Sequence, residues 1–192
     1  VFELGNRDQP SDSGWTDESR TVLRAAEPFH HPTDIALSAN GDVYVSDGYR
    51  NARVHRFSSD GSLIYSWGEP GKGGPYQFHL PHSLIVGQDG RVYVCDRENS
   101  RVQVFNSEGQ YITMWTDMQR PLDISQDNEG VFYTSERSGN GQPPQMSVFD
   151  REGMVLARWP SRSAHGSWVD SHGDLYLALT SEKSVDKYVR LS

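Results

Sequence analysis

His82 and His165 carry the sequence's strongest claim to chemistry. They occupy the same place in a repeated pattern, one residue past Pro81 and Ala164, where the other copies have Thr33 and Leu122. Neutral imidazole is a good zinc ligand, and imidazoles converging on one axis make a zinc or similar site. A catalytic zinc takes three protein ligands, so this pair leaves one place to fill. His31 and His79 lie near the same rim, in stretches that otherwise read as solvent-facing loops. The competing assignment for each histidine is a hydrogen bond to a loop carbonyl. Tyr49 and Arg97 belong to loops returning to that rim. A phenol beside a metal acts as a base once its pKa falls, and a guanidinium holds a carboxylate through two hydrogen bonds. Around them, Asp47, Asn51, Asp96 and Asn99 read as turn hydrogen-bonders, and Arg53 and Arg101 as packing or ion-pairing residues. His55, on a strand, and His172, in a turn, are expected at the surface.

The elements that must position these groups come from a repeat. Gly41-Asp42-Val43-Tyr44 returns as Gly90-Arg91-Val92-Tyr93, Gly130-Val131-Phe132-Tyr133 and Gly173-Asp174-Leu175-Tyr176. Twelve residues before each Tyr stands Pro32, Pro81, Pro121 or Ala164. Downstream come Arg53 to Phe57, Arg101 to Phe105, Gln145 to Phe149 and Ser184 to Tyr188. Acidic-Gly turns follow in the first three copies, each with a Trp six residues later: Trp67, Trp115 and Trp159. Each copy reads as four short strands, rich in β-branched and aromatic residues and bounded by Gly, Asn, Asp and Ser. Asp17 to Glu27 could turn once or twice as a helix but reads as a long loop. Four-stranded units at a period of 40 to 49 residues are the blades of an all-β propeller.

The phase of the repeat leaves two architectures open. The fourth copy stops after its third strand, and Val1-Phe2-Glu3-Leu4-Gly5 resembles a stray fourth strand. Either that segment closes a four-bladed ring, removing the exposed edge, or the blades are part of a larger one. The chain is thus a single propeller domain over residues 1–192, with repeats at about 30–68, 79–116, 119–160 and 162–192 plus 1–5.

Composition narrows the partners. Eighteen basic residues against 26 acidic ones give a net charge of −8, unfavourable for nucleic acid. No apolar run approaches the roughly 20 residues of a membrane-spanning helix. The expected ligand is a small molecule or peptide at the channel, with a protein partner open. The single cysteine, Cys95, excludes an intrachain disulfide and, next to Val94, reads as a buried strand residue. The first residue is Val rather than Met, as expected of a processed or trimmed start; it leaves localisation open.

The pattern of Pro, apolar strand, Gly, apolar-Tyr-Val-x-Asp, Asn-x-Arg-Val-x-x-Phe and Asp-Gly resembles the NHL repeat, a six-bladed propeller family. His31-Pro32-Thr33-Asp34-Ile35, Val45-Ser46-Asp47-Gly48-Tyr49, Trp67-Gly68-Glu69, Gln77-Phe78, Pro81-His82-Ser83-Leu84 and Asp96-Arg97-Glu98-Asn99 closely resemble the peptidyl-α-hydroxyglycine α-amidating lyases. These zinc enzymes cleave a peptide α-hydroxyglycine to a peptide amide and glyoxylate. The likeness is strong over about residues 30–105 and weak after 116. It implies that His82 and His165 are metal ligands, that Tyr49 is the base and that Arg97 binds substrate. Ser163 and Gly166 depart from the Met and Asp that flank the family's third histidine. The Asp helps hold a structural calcium, so its loss argues against calcium. The two blades that would carry the first metal histidine and another arginine, and the family's disulfides, have no counterpart here. The resemblance therefore implies a zinc-dependent lyase-like propeller. The alternatives are a non-catalytic NHL binding module, or part of a larger propeller enzyme.

Overall fold

The computed structural model describes residues 3–139 and 141–191. Its secondary structure is antiparallel strand throughout the blades, with one 3₁₀ turn at Arg97–Asn99. Blade one is β1 (Pro32–Leu37), β2 (Val43–Asp47), β3 (Arg53–Phe57) and β4 (Leu63–Trp67), paired in that order. A short parallel pair, β5 (Glu69–Pro70) and β6 (Gln77–Phe78), bridges to blade two. Blade two comprises β7 (Pro81–Val86), β8 (Val92–Asp96), β9 (Arg101–Phe105) and β10 (Tyr111–Trp115). Blade three comprises β11 (Pro121–Gln126), β12 (Phe132–Glu136), β13 (Gln145–Phe149) and β14 (Val155–Pro160). Blade four has three strands among the described residues, β15 (Gly166–Val169), β16 (Leu175–Leu179) and β17 (Ser184–Tyr188). The chain is an all-β propeller. Its axial strands β1, β7, β11 and β15 stand side by side in chain order.

The repeated aromatics explain why the blades stack. Trp67 packs on Phe105 of the next blade at 5.5 Å between ring centroids, Trp115 stacks on Phe149 at 5.7 Å, and Trp159 meets Tyr188 at 6.1 Å. Each Trp thus seals one blade against the third strand of its successor, so the spacing of these landmarks is a packing requirement. The second strands fill the same interfaces: Tyr44, Val92 and Val94 between blades one and two, Tyr93 and Phe132 between two and three, Leu175 and Leu177 between three and four. Cys95 is fully buried in β8, and burial pushes its thiol well above the ordinary range. That leaves it a core residue.

Two expectations are corrected. Glu3, Leu4 and Gly5 form no strand, while Val1 and Phe2 lie outside the described residues. Leu4 packs with Phe29 against Val43, Val45 and Phe57, so the described N-terminal residues cover the free face of blade one. The same cover buries His55 completely. Its ring meets Phe29 edge-on at 5.0 Å and its Nδ1 lies 2.8 Å from Ser66 Oγ. His172, as expected, is exposed, and Asp17 to Glu27 is loop.

Candidate functional site

A β-bulge opens each of the first three axial strands. In blade two Pro81 pairs with Asp96 and Ser83 with Cys95, leaving His82 as the extra residue; Thr33 and Leu122 hold the same place in blades one and three. A bulged residue leaves the ladder and its side chain is re-aimed. In blade four His165 immediately precedes β15, its amide donating to the Ala178 carbonyl. The repeat position singled out in the sequence is therefore a structural device for pointing a side chain at the rim.

Tyr49 joins the two histidines. Its Oη lies 3.1 Å from His82 Nε2 and 3.3 Å from His165 Nε2, and the two imidazole centroids are 4.8 Å apart. Gly48 makes this approach feasible: a Cβ there would fall 2.1 Å from the Pro81 carbonyl oxygen. His82 Nδ1 lies 2.6 Å from the Leu122 carbonyl, which can only accept, so Nδ1 carries the proton. Burial lowers the His82 pKa to about 4, with the charges of Arg97 and His165 adding to the fall and the Leu122 bond partly opposing it. At neutral pH Nε2 then offers a lone pair, Tyr49 donates to it, and His165 Nε2–H donates to Tyr49. The loop-carbonyl bond and the outward-facing nitrogen coexist in one side chain. Two Nε2 atoms facing one point fit a zinc ion in part. No group of three metal-ligating side chains occurs among the described residues, so His31 and His79 do not complete the set.

Arg97 stands on the 3₁₀ turn after β8. Asp96, buried beneath it, accepts from the His79 amide, Asn99 and Arg101, as its turn role requires. Asp47 does the same in blade one for the amides of His30 and His31 and for Asn51. Arg101 and Arg53 pair with Asp96 and Glu27. Sequence reasoning missed Glu98 and Arg120. Glu98 Oε1 accepts from Arg97 Nε at 2.8 Å and from Arg120 at 2.7 Å. Burial pushes the Glu98 carboxyl up, but the Arg120 and Arg97 hydrogen bonds outweigh it and hold the pKa below the usual value. Two guanidiniums on one carboxylate leave a net positive charge beside His82, suited to an anion.

Below the rim Ser83 Oγ lies 2.7 Å from Asp34 Oδ2 and 2.5 Å from Asp123 Oδ1, tying three blades together. Asp123 also accepts from the Ser167 amide of blade four. Burial raises the Asp123 pKa to about 6, Asp34 adding to the rise and the Ser83 and Ser167 bonds opposing it. The shared repeat position of Asp34, Ser83 and Asp123 was the available sequence signal. An axial channel of about 1110 Å³ is lined by Asp34, Asp123 and neighbouring strand residues. Tyr49 instead walls a separate cavity of about 390 Å³ at the rim.

This bulged, repeat-built architecture is a β-propeller that carries NHL repeats, that family matching residues 29–57 and 78–105. Within that class the chain resembles the peptidyl-α-hydroxyglycine α-amidating lyases. It is 35% identical to a probable lyase of that name from Caenorhabditis elegans, over 63% of this chain and 37% of that protein. It is 44% identical to peptidyl-glycine alpha-amidating monooxygenase A of Xenopus laevis, over 42% of this chain and 9% of that protein. The alignment with human NHL repeat-containing protein 3 is 36% identical over 85% of this chain and 51% of that protein. The chain thus spans about half or less of these relatives. Among solved structures, a streptogramin B lyase shares the fold, with a TM-score of 0.63 at 15% identity, over 84% of this chain and 55% of that one.

Proposed function

We propose that Tyr49, His82, His165 and Arg97 form a lyase site that cleaves the C–N bond of a peptide α-hydroxyglycine, releasing peptide amide and glyoxylate. The observation that carries this reading is the single phenol held between two imidazole nitrogens at 3.1 and 3.3 Å. The names of the amidating-lyase relatives support it. Zinc held by His82 and His165 with a further ligand would act as a Lewis acid, lowering the pKa of the substrate hydroxyl. Tyr49 Oη is the atom that exchanges the hydroxyl proton. As the C–O bond becomes a carbonyl, the C–N bond breaks and the leaving amide nitrogen needs one proton. The proton taken from the hydroxyl balances that need, so Tyr49 ends as it began. Arg97, its Nε held by Glu98, grips the carboxylate that departs in glyoxylate. Calcium has no part in this reading.

A second reading is a non-catalytic NHL binding module. The longest of these alignments, to a protein named for its repeats alone, favours it, as does the lack of a third ligand among the described residues. Metal analysis of the purified chain, with glyoxylate release from benzoyl-α-hydroxyglycine, separates the two. The lyase reading expects bound zinc lost in His82→Ala and glyoxylate formed only by the metal-loaded protein. Zinc retained in both His82→Ala and His165→Ala, or no glyoxylate from zinc-loaded protein, overturns it.

A further inference from the structure

The cavity beside Tyr49 draws most of its lining from segments outside the four-stranded blades. Trp15, Val22 and Leu23 come from the stretch before blade one, and Phe78 and Leu80 from the link between blades one and two. That link runs from Gly68 to Leu80, whereas the links to blades three and four span only residues 116–120 and 161–165. The chain has therefore elaborated one edge of the rim, the one Tyr49 belongs to.

Both segments are pinned. Ser13 Oγ donates to the Arg50 carbonyl at 2.6 Å, and the Leu23 amide donates to the Ser13 carbonyl. Asn51 bonds both the amide and the carbonyl of Ala26. On the other side Arg101 donates to the carbonyls of Gly73, Gly74 and Gln77. The cavity is thus preformed, and at about 390 Å³ it is in the size range of ligand pockets. Its walls are more apolar than polar, while Arg20 and Lys72 stand on its border without a carboxylate partner among the described residues, in a chain of net charge −8. Arg50 is already committed, lying 4.0 Å over the Trp15 ring and 3.7 Å from Asp17.

We infer that this cavity is a peptide subsite, which receives a large apolar side chain on the residue preceding the scissile hydroxyglycine and favours an acidic residue next to it. The inference rests on the lyase reading for what stands at Tyr49 Oη. Tyr49 meets both histidines through its hydroxyl and also lines the cavity, so a group covalently adjacent to the reacting carbon falls within its reach. Apolar walls select the side chain by burial, and the two unpaired cations select the acidic neighbour by charge.

The test uses equilibrium binding, which needs no turnover. Calorimetric titration of acetyl-Asp-Phe-Gly and acetyl-Asp-Gly-Gly into the whole chain should show about tenfold tighter binding of the Phe peptide. Thr21→Trp, an exposed position on the cavity wall, should abolish that preference. Arg20→Glu with Lys72→Glu should weaken acetyl-Asp-Phe-Gly severalfold more than acetyl-Asn-Phe-Gly. Circular dichroism checks that each variant is folded. Equal affinity of the Phe and Gly peptides, or a Phe preference that survives in folded Thr21→Trp, overturns the subsite. If the preferences appear but no glyoxylate forms, the lyase reading fails and the peptide subsite stands. Glyoxylate formation without the preferences does the opposite: the subsite falls and the lyase reading stands.

Discussion

Replacing Asp123 with Asn should tilt the pH dependence of stability. Ser83 Oγ has one hydrogen to give and two carboxylates within 2.7 Å. When Asp34 and Asp123 are both ionised, one contact lacks a proton. Burial keeps Asp123 of the folded protein protonated to about pH 6, against an ordinary value of 3.8, and that proton fills the contact. Between those values the folded state holds a proton that the unfolded chain has released, so this group's contribution is complete below pH 4 and is lost as pH rises through 6. The shift corresponds to at most about 3 kcal/mol, an upper bound because Asp123 keeps some exposure. His82 acts in the opposite sense. Its folded pKa of about 4 against 6.5 makes stability rise with pH across the same window, again by about 3 kcal/mol. In the metal-free wild type the two slopes nearly cancel. Asp123→Asn removes one of them, and the amide can donate the missing hydrogen to Ser83 permanently. Urea unfolding in the presence of a chelator at pH 4.5, 5.5, 6.5 and 7.5 measures the difference. The variant should gain on the wild type with each step up to 6.5, by roughly 2 kcal/mol in all. A difference between the two proteins that stays constant with pH would refute the proton count.

Three further outcomes follow from the rim. Tyr49→Phe should lower glyoxylate release by about a hundredfold or more while leaving peptide affinity within a factor of about three, since the ring stays and only the proton-exchanging atom goes. Glu98→Gln removes the anionic partner shared by Arg97 and Arg120; KM for the carboxylate-bearing substrate should change more than kcat, with the metal content unaltered. Gly48→Ala sets a methyl against the Pro81 carbonyl at 2.1 Å. The loop must shift, costing about 1–3 kcal/mol in urea unfolding and taking the Tyr49 hydroxyl out of reach of His82.

The blades were legible because the repeat reports packing. The Trp and Tyr landmarks recur wherever one sheet closes on the next, and the limits of the outer strands followed within a residue, while the axial strands begin three residues earlier than their apolar runs, at Pro32 and Pro81. The position after each Pro was legible as a special one, though that it is a bulge emerged only from the pairing register. Tyr49 and Arg97 stood out by their place in loops returning to the rim, with their roles given by resemblance, and the structure brings Tyr49 to both histidines. What the repeat does not encode was missed. His55 read as a surface residue because its cover, Phe29 and Leu4, comes from outside the repeat. Glu98 and Arg120 are 22 residues apart, and nothing in either neighbourhood announces a shared hydrogen bond. The rim cavity escaped notice for the same reason, being walled by segments without internal symmetry.

The bulge at the head of the first three axial strands has a consequence for how such a molecule can change. A residue that belongs to no rung of the ladder can be exchanged without disturbing its neighbours' pairing, and here Thr, His and Leu occupy equivalent sockets on three blades. The sheets behave as a chassis and the sockets as interchangeable fittings around one axle. Altering the reactivity of the rim then asks for a single codon per blade, and a histidine at Thr33 or Leu122 becomes the shortest route to a third imidazole on that axis.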